Sequence, residues 1–413
     1  MSPSHPIVPD PIVIVGSART PIGAFQGDLK DLTAPQLGAA AIRAAVERAG
    51  ISSDAVDEVL MGCVLPAGLG QAPARQSALG AGLSASTGAV TINKMCGSGM
   101  KAVMLGHDML LAGSAKIVVA GGMESMSNAP YLLDRARSGY RMGHGHILDH
   151  MFLDGLEDAY DKGRLMGTYA EDCAQSYAFS RPAQDEFALT SLRRAQEATA
   201  SGAFTSEIVP LPVKAGRTAG ATRAGAASID RIVSHDELPL KATPEKIPNL
   251  KPAFREDGTV TAANSSAISD GAAALVLMRR SEADRRGIKP LATIAGHSTY
   301  ANTPALFPTA PIGAIRRLLE LTGWSLSEVA LFEINEAFAV VAMAAMRDLG
   351  IPRERVNIHG GACALGHPIG ASGARILVTL LAALKQRKLR RGVASLCIGG
   401  GEATAVAIEL VEI

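Results

Sequence analysis

Aromatic residues are scarce, at 4% of 413 residues with a single tryptophan, so the chain lacks the stacking platforms that single-stranded nucleic acids require. Net charge is also missing. Lys and Arg number 40 against 39 Asp and Glu, which leaves +1 and no global field to attract a polyanion or an anionic membrane. Any anion must be held locally. The five cysteines (Cys63, Cys96, Cys173, Cys363, Cys397) are odd in number, widely spaced and without a C-x-x-C pair. That excludes a disulfide framework and a zinc knuckle, and reads as free thiols in a reducing compartment. Long hydrophobic runs are absent too: the longest nearly pure one, Ala337–Met346, is about half of what a bilayer crossing takes. Residues Met1–Asp10 show neither an apolar signal core nor the Arg-rich amphipathic pattern of a transit peptide, so the expectation is a soluble, cytoplasmic protein.

What is present is a globular composition, 47% hydrophobic and 19% charged, with 43 glycines that point to glycine loops as the binding elements. The length predicts two or three domains. An apolar strand, Pro11–Val15, ends at Gly16, and a helix, Leu37–Ala49, closes at Gly50. Strands follow at Val56–Met61, Ala89–Asn93 and Ile117–Ala120, the last stopping at Gly121-Gly122, with Met100, Val103, Met104, Leu110 and Leu111 at helical spacing between them. This makes residues 1–125 one α/β unit. Between 126 and 251 charges, histidines, prolines and glycines crowd in, as in Arg135–His150 and Lys214–Arg231, around one clear helix, Pro182–Ala200. The segment reads as an insertion. Residues 252–280 resume the first unit, and 281–413 alternate strand and helix again.

The two units resemble each other. Gly99 opens a helix leading to a buried strand and Gly121-Gly122; Gly373 opens a helix, Ile376–Lys388, leading to the strand Val393–Ile398 and Gly399-Gly400. Two such copies would pack into an α/β/α/β/α body.

Four segments carry chemistry. In Asn93-Lys94-Met95-Cys96-Gly97-Ser98-Gly99 a thiol stands where a strand gives way to a helix. There the helix dipole and free N–H groups favour a thiolate, and the Cys96 N–H can serve an oxyanion. In Gly360–Gly373, Pro368 stiffens the backbone after His367, so the imidazole comes from a rigid loop. The loop has neither the lysine of a P-loop nor the G-x-G-x-x-G order. Cys397-Ile398-Gly399-Gly400-Gly401 puts a second thiol at a strand end with free donors, and Asn335, in Asn335-Glu336-Ala337-Phe338, offers either an amide at another strand end or a helix N-cap.

Taken in this order, and with Ala18–Gly23 and Gly121–Ser127, these motifs resemble the thiolase family along nearly the whole chain. The resemblance implies a duplicated five-layered thiolase fold with an inserted loop domain (126–251) that binds coenzyme A. It implies reversible condensation of two acetyl-CoA to acetoacetyl-CoA and CoA, with no other cofactor, in a homodimer or homotetramer. Residue by residue, Cys96 matches the acylated nucleophile, His367 the imidazole that activates it, and Cys397 the acid/base for the α-proton. Asn335 matches the holder of an oxyanion-hole water beside His367, and the N–H groups of Cys96 and Gly399 match a second hole. Met166 matches an acyl-pocket residue, and Ala262, Ser266 and Phe338 match pantetheine contacts; Lys241 is the candidate for the nucleotide phosphates.

The chain departs from the family pattern at Leu165, where many members have His, at Phe307-Pro308-Thr309-Ala310-Pro311 in place of Met-Gly-x-Gly-Pro, and at His359 in place of Asn. The first removes a polar contact, and the second stiffens the acyl-pocket wall. Two rival readings follow: a 3-ketoacyl-CoA thiolase for longer chains, and a silent acyl-CoA binding protein, against which the presence of Cys96, His367 and Cys397 speaks.

Overall fold

The computed structural model describes residues 10–213 and 231–412. Nearly all of the stretch read at Lys214–Arg231 therefore lies outside the described residues. The apolar runs form strands buried on both faces, so helices must cover each sheet above and below. Strands β1 (Ile12–Arg19), β2 (Glu58–Gly62), β3 (Gly88–Ile92), β4 (Ile117–Ser125) and β5 (Ser269–Arg279) precede β6 (Ala292–Ala301), β7 (Leu331–Ile334), β8 (Arg391–Ile398) and β9 (Glu402–Leu410). The helices used below are α1 (Ala34–Ala49), α2 (Ser98–Ala112), α3 (Met166–Ser176), α4 (Arg181–Ala200), α5 (Ala310–Thr322), α6 (Ala339–Leu349) and α7 (Ile369–Arg387). No helix among the described residues is long and apolar enough to cross a membrane.

The strand order is β7-β8-β9-β6-β1-β5-β4-β2-β3. Each half repeats one pattern. Strands β2 and β4 are parallel, then β4, β5 and β1 run antiparallel; β7 and β8 are parallel, then β8, β9 and β6 run antiparallel. The halves meet at a seam of two pairs, Val13–Thr293 and Ile14–Ala292. Alternation along the strands then builds the layers. Ala272, Ala274, Val276 and Met278 of β5 pack under α1, while Ala273, Leu275 and Leu277 face a central core shared with α2, α7 and strands β8 and β9. Phe332, Val393, Ala405 and Ala407 face the opposite outer layer of α5 and α6. The result is the expected five layers, with α2 and α7 in the middle.

Three of the expected glycine boundaries differ, the first being β1, which does not end at Gly16 but passes through an irregularity there and runs on to Arg19. Strand β4 does not stop at Gly121-Gly122 but runs on to Ser125. The glycines mark close approach rather than an end: a Cβ on Gly121 would lie 2.0 Å from Ala273 O, and one on Gly122 2.1 Å from Gly370 O. Similarly, α7 begins at Ile369, so Gly373 lies inside the helix, where its missing side chain admits Met100 N at 2.4 Å from the Cβ position. The N-terminal turns of α2 and α7 thus touch backbone to backbone.

Gly122→Ala should accordingly lower the unfolding free energy by at least about 1–3 kcal/mol, the usual cost of overpacking a core that cannot move aside. Urea denaturation measures it. A loss within about 0.5 kcal/mol of zero, the range of ordinary surface substitutions, would show that the contact is not rigid.

Candidate active site

The segment before α2 folds into a tight turn held by its own side chains. Asn93 Oδ1 accepts from Met95 N at 3.0 Å, and Ser98 Oγ accepts from Lys94 N at 2.8 Å while donating to Met95 O at 2.6 Å. Met95 consequently sits at φ +46°, a left-handed conformation that costs a non-glycine residue about 1–3 kcal/mol. Gly97 is needed for the approach to the end of β8, since its Cβ would fall 2.3 Å from Ile398 Cδ1. Cys96 is thereby pressed against the strand that carries Cys397, and the N–H of Gly399, like that of Cys96 itself, is aimed at its sulfur.

Burial nevertheless outweighs these donors and pushes the Cys96 thiol up to about 11. The thiolate expected from the helix terminus is not preformed in the unliganded site. The reason is that α2 starts two residues later, at Ser98, and the sulfur lies in an apolar cavity. Burial raises Cys397 as well, with the neighbouring Cys96 adding to it.

His367 is 6% exposed and immediately precedes Pro368, the residue that caps α7. Its Nδ1 lies 2.5 Å from Ser372 Oγ, and that hydroxyl donates to Pro368 O at 3.0 Å. The serine proton being so committed, Nδ1–H donates to Ser372 and Nε2 carries the free lone pair. Burial draws the imidazole down to about 3, with the charge of Arg375 adding to the effect, so His367 is neutral at physiological pH. Its Nε2 is buried without a protein partner, as are both amide atoms of Asn335. Buried polar atoms left open in this way suit a bridging water. Asn335 is not the N-cap of α6, which is Phe338; its N–H donates to Ser395 O at 3.0 Å, tying it to β8 two residues before Cys397.

A cavity of about 690 Å³ gathers Cys96, His367, Cys397 and Gly399 with Met166, Ala262, Ser266 and Phe338 on one lining. Two expected residues stand apart. Asn335 lies buried behind that wall, and Lys241 borders a neighbouring cleft of about 300 Å³ that shares Leu238, Ala262 and Ala267 with the main cavity. Lys241 is also tethered by an ion pair to Glu237 four residues earlier. The cavity is otherwise apolar: Leu165 and Phe254 line it, and Phe307 reaches it while stacking edge-on to Tyr169 at 6.2 Å and Phe338 at 6.4 Å. His359 is not part of it; buried against Phe204 at 5.8 Å, it is drawn down to about 4.

Sequence reasoning missed the residues that hold the machinery in place. Fully buried Glu124 accepts from Val64 N at 2.9 Å, Leu65 N at 3.1 Å and Gly370 N at 2.9 Å, so one carboxyl pins the first turn of α7 to β4. Glu336 likewise accepts from Asn357 Nδ2 at 2.8 Å, Ser191 Oγ at 2.7 Å and Cys363 N at 3.2 Å, fixing the Asn335 strand end to the His367 loop. Both glutamates stood inside quoted motifs, and an acidic residue in an otherwise apolar strand end was the available signal.

Residues 12–281 match the family model described as "Thiolase, N-terminal domain" and residues 288–410 match "Thiolase, C-terminal domain". The chain belongs to the thiolase family. The acetyl-CoA acetyltransferase of Escherichia coli (strain K12) is 50% identical to this thiolase over 399 residues, covering 96% of this chain and 98% of that protein. Among solved structures, the Bacillus anthracis acetyl-CoA acetyltransferase superposes with a TM-score of 0.92 at 41% identity, over 97% of this chain and 99% of its own. The Acat5 thiolase from Ascaris suum in complex with coenzyme A gives 0.89 at 40%, over 97% and 100%.

The high position of the Cys96 thiol sets a pH dependence. Its thiolate fraction grows with pH until about 11, so iodoacetamide labelling of Cys96 in the unliganded thiolase should rise about tenfold per pH unit from about pH 7 to pH 10. Acetyl-CoA should suppress it. Peptide mass spectrometry across that range checks both, and a plateau below about pH 8, near the ordinary thiol value, would contradict the buried, protonated thiol.

Proposed function

We propose that this thiolase is an acetyl-CoA C-acetyltransferase that joins two acetyl-CoA into acetoacetyl-CoA and CoA, and runs in reverse, through an acetyl-cysteine. The observation that carries the reading is the meeting of Cys96, Cys397 and a neutral, Nε2-open His367 on one apolar cavity, with the Gly399 amide aimed at Cys96. The names of the relatives support it.

In the first half-reaction Cys96 gives its proton to His367 Nε2 and its sulfur attacks the thioester carbonyl. The N–H groups of Cys96 and Gly399 receive the oxyanion. Collapse expels the CoA thiolate, which takes a proton from Cys397. In the second half-reaction the Cys397 thiolate removes an α-proton from a second acetyl-CoA, whose enolate oxygen is held by the protonated His367 and a water on Asn335. The enolate attacks the acetyl-Cys96 carbonyl, Cys96 leaves as thiolate, and His367 returns its proton. Two donor sets are needed because the enolate and the tetrahedral oxyanions arise at different places.

Coenzyme A enters along the wall formed by Ala262, Ser266 and Phe338, passes Met166, and extends its phosphates toward the Lys241 cleft. The half-exposed edge strand β3, with Val90 46% exposed, and the apolar Tyr131, Met142 and Ile147 support a homodimer or homotetramer, and the five free thiols suit a reducing, cytoplasmic setting.

Cys397→Ala separates the two steps. It should still form some acetyl-Cys96 on incubation with acetyl-CoA, while condensation and exchange of the α-protons with deuterium fall by at least about 10²-fold, the usual loss of a positioned acid/base. Intact-protein mass spectrometry and NMR read the two. Equal loss of acylation and exchange would mean that the thiols act as one unit.

The aromatic wall sets chain length. Thiolysis should be faster for acetoacetyl-CoA than for a C10 ketoacyl-CoA, and Phe307→Ala should narrow the ratio by about 10-fold or more, the scale of one methylene group in a pocket. A wild-type preference for C10 would favour the longer-chain thiolase.

A further inference from the structure

Away from the cavity, on the surface where the two halves adjoin, His107 and Asp108 of α2 meet His297 of β6. His107 Nδ1 stands 3.1 Å and His297 Nε2 2.9 Å from the same Asp108 Oδ1, and the two imidazoles sit edge to face at 4.9 Å. All three ligand atoms lie within 4.8 Å of one another, and no other such group occurs among the described residues. The imidazoles are mostly covered, at 13% and 18% exposure, whereas Asp108 is 51% exposed. Preorganised nitrogen donors thus sit beside an opening to solvent.

We propose that His107, Asp108 and His297 form a structural site for a divalent transition metal of the zinc, cobalt or nickel class, which staples α2 of the first half to β6 of the second. Two imidazoles and one carboxylate favour these ions over calcium or magnesium, which prefer oxygen. The spacing fits. Ligands about 2.0–2.1 Å from a tetrahedral ion stand about 3.3 Å from each other, so the carboxylate oxygen need open from each nitrogen by only a few tenths of an ångström. Water through the open side of Asp108 completes the coordination. When the ion binds, each imidazole passes to its other neutral tautomer by proton exchange with water, His107 with its proton on Nε2 and His297 with its proton on Nδ1, so that the two nitrogens facing Asp108 offer lone pairs to the ion.

The test uses the full-length, tag-free protein stripped with a chelator. Titration with Co²⁺ should give one equivalent of visible absorption of a tetrahedral nitrogen-oxygen site, without the near-ultraviolet charge-transfer band of thiolate ligation. Zn²⁺ or Ni²⁺ should raise the Tm of the wild type and leave that of His297→Ala and His107→Gln unmoved, while both variants keep wild-type thiolysis rates without metal. A thiolate band, an equal Tm rise in the variants, or no saturable Co²⁺ spectrum would overturn the proposal and leave an ordinary carboxylate bridging two imidazoles.

Discussion

Everything at the centre of this thiolase depends on how closely two helices approach. The first turns of α2 and α7, the end of β2 and the middle of β4 come into backbone contact, which glycine at positions 62, 99, 122 and 373 alone permits; a Cβ on Gly62 would lie 2.6 Å from Gly99 N, and one on Gly99 3.0 Å from Ala374 N. Cys96 precedes one of these helices and His367 the other. Their meeting is therefore a consequence of helix packing, and it is as rigid as that packing. Anything that parts the two helices parts Cys96 and His367.

Around this contact the charges are spent on position. Burial raises Glu124 to about 7, yet its carboxyl is surrounded by backbone donors that lock the start of α7. Glu333, raised to about 8 by burial, faces Arg375 at 3.6 Å, and Arg19 binds both Glu207 at 2.7 Å and Asp236 at 2.7 Å without solvent contact. Such pairs contribute little net stability against apolar packing, but removing one partner strands the other in the core. Arg19 thus holds both Glu207 and Asp236 at the end of β1, and Asp236, two residues before Leu238 on the cavity wall, also accepts from Ile22 N at 2.8 Å.

Much of this was legible in the sequence because the chemistry-bearing residues sit in glycine-rich motifs whose purpose is geometric. Cys96, His367, Cys397 and Gly399 converge as read, together with Met166, Ala262, Ser266 and Phe338. What was not legible was distance and burial. A thiol before a helix reads as acidified, but the sulfur's apolar surroundings outweigh two amides and reverse the sign. Glycines at Gly121 and Gly373 read as an end and a beginning, because periodicity sees local chain and not the neighbour whose carbonyl excludes a side chain. Lys241 carries the right charge, but its partner Glu237 was visible only once the short helix between them had formed. The hydroxyl of Ser372, which decides the tautomer of His367, is five residues away in sequence and becomes its neighbour only through the turn at Pro368.

The order of the strands also bears on how the chain is made. Of the described strands β1 leaves the ribosome first, yet the two that flank it in the sheet are β5 and β6. Translation at about 5–20 residues per second leaves it with neither neighbour for some tens of seconds, while roughly 250 further residues emerge. Ile12, Val13, Ile14 and Val15, all destined for complete burial, are exposed for that interval on a strand with two free edges. The nascent chain is thus open to aggregation at β1, and the long stretch between β4 and β5 prolongs the delay.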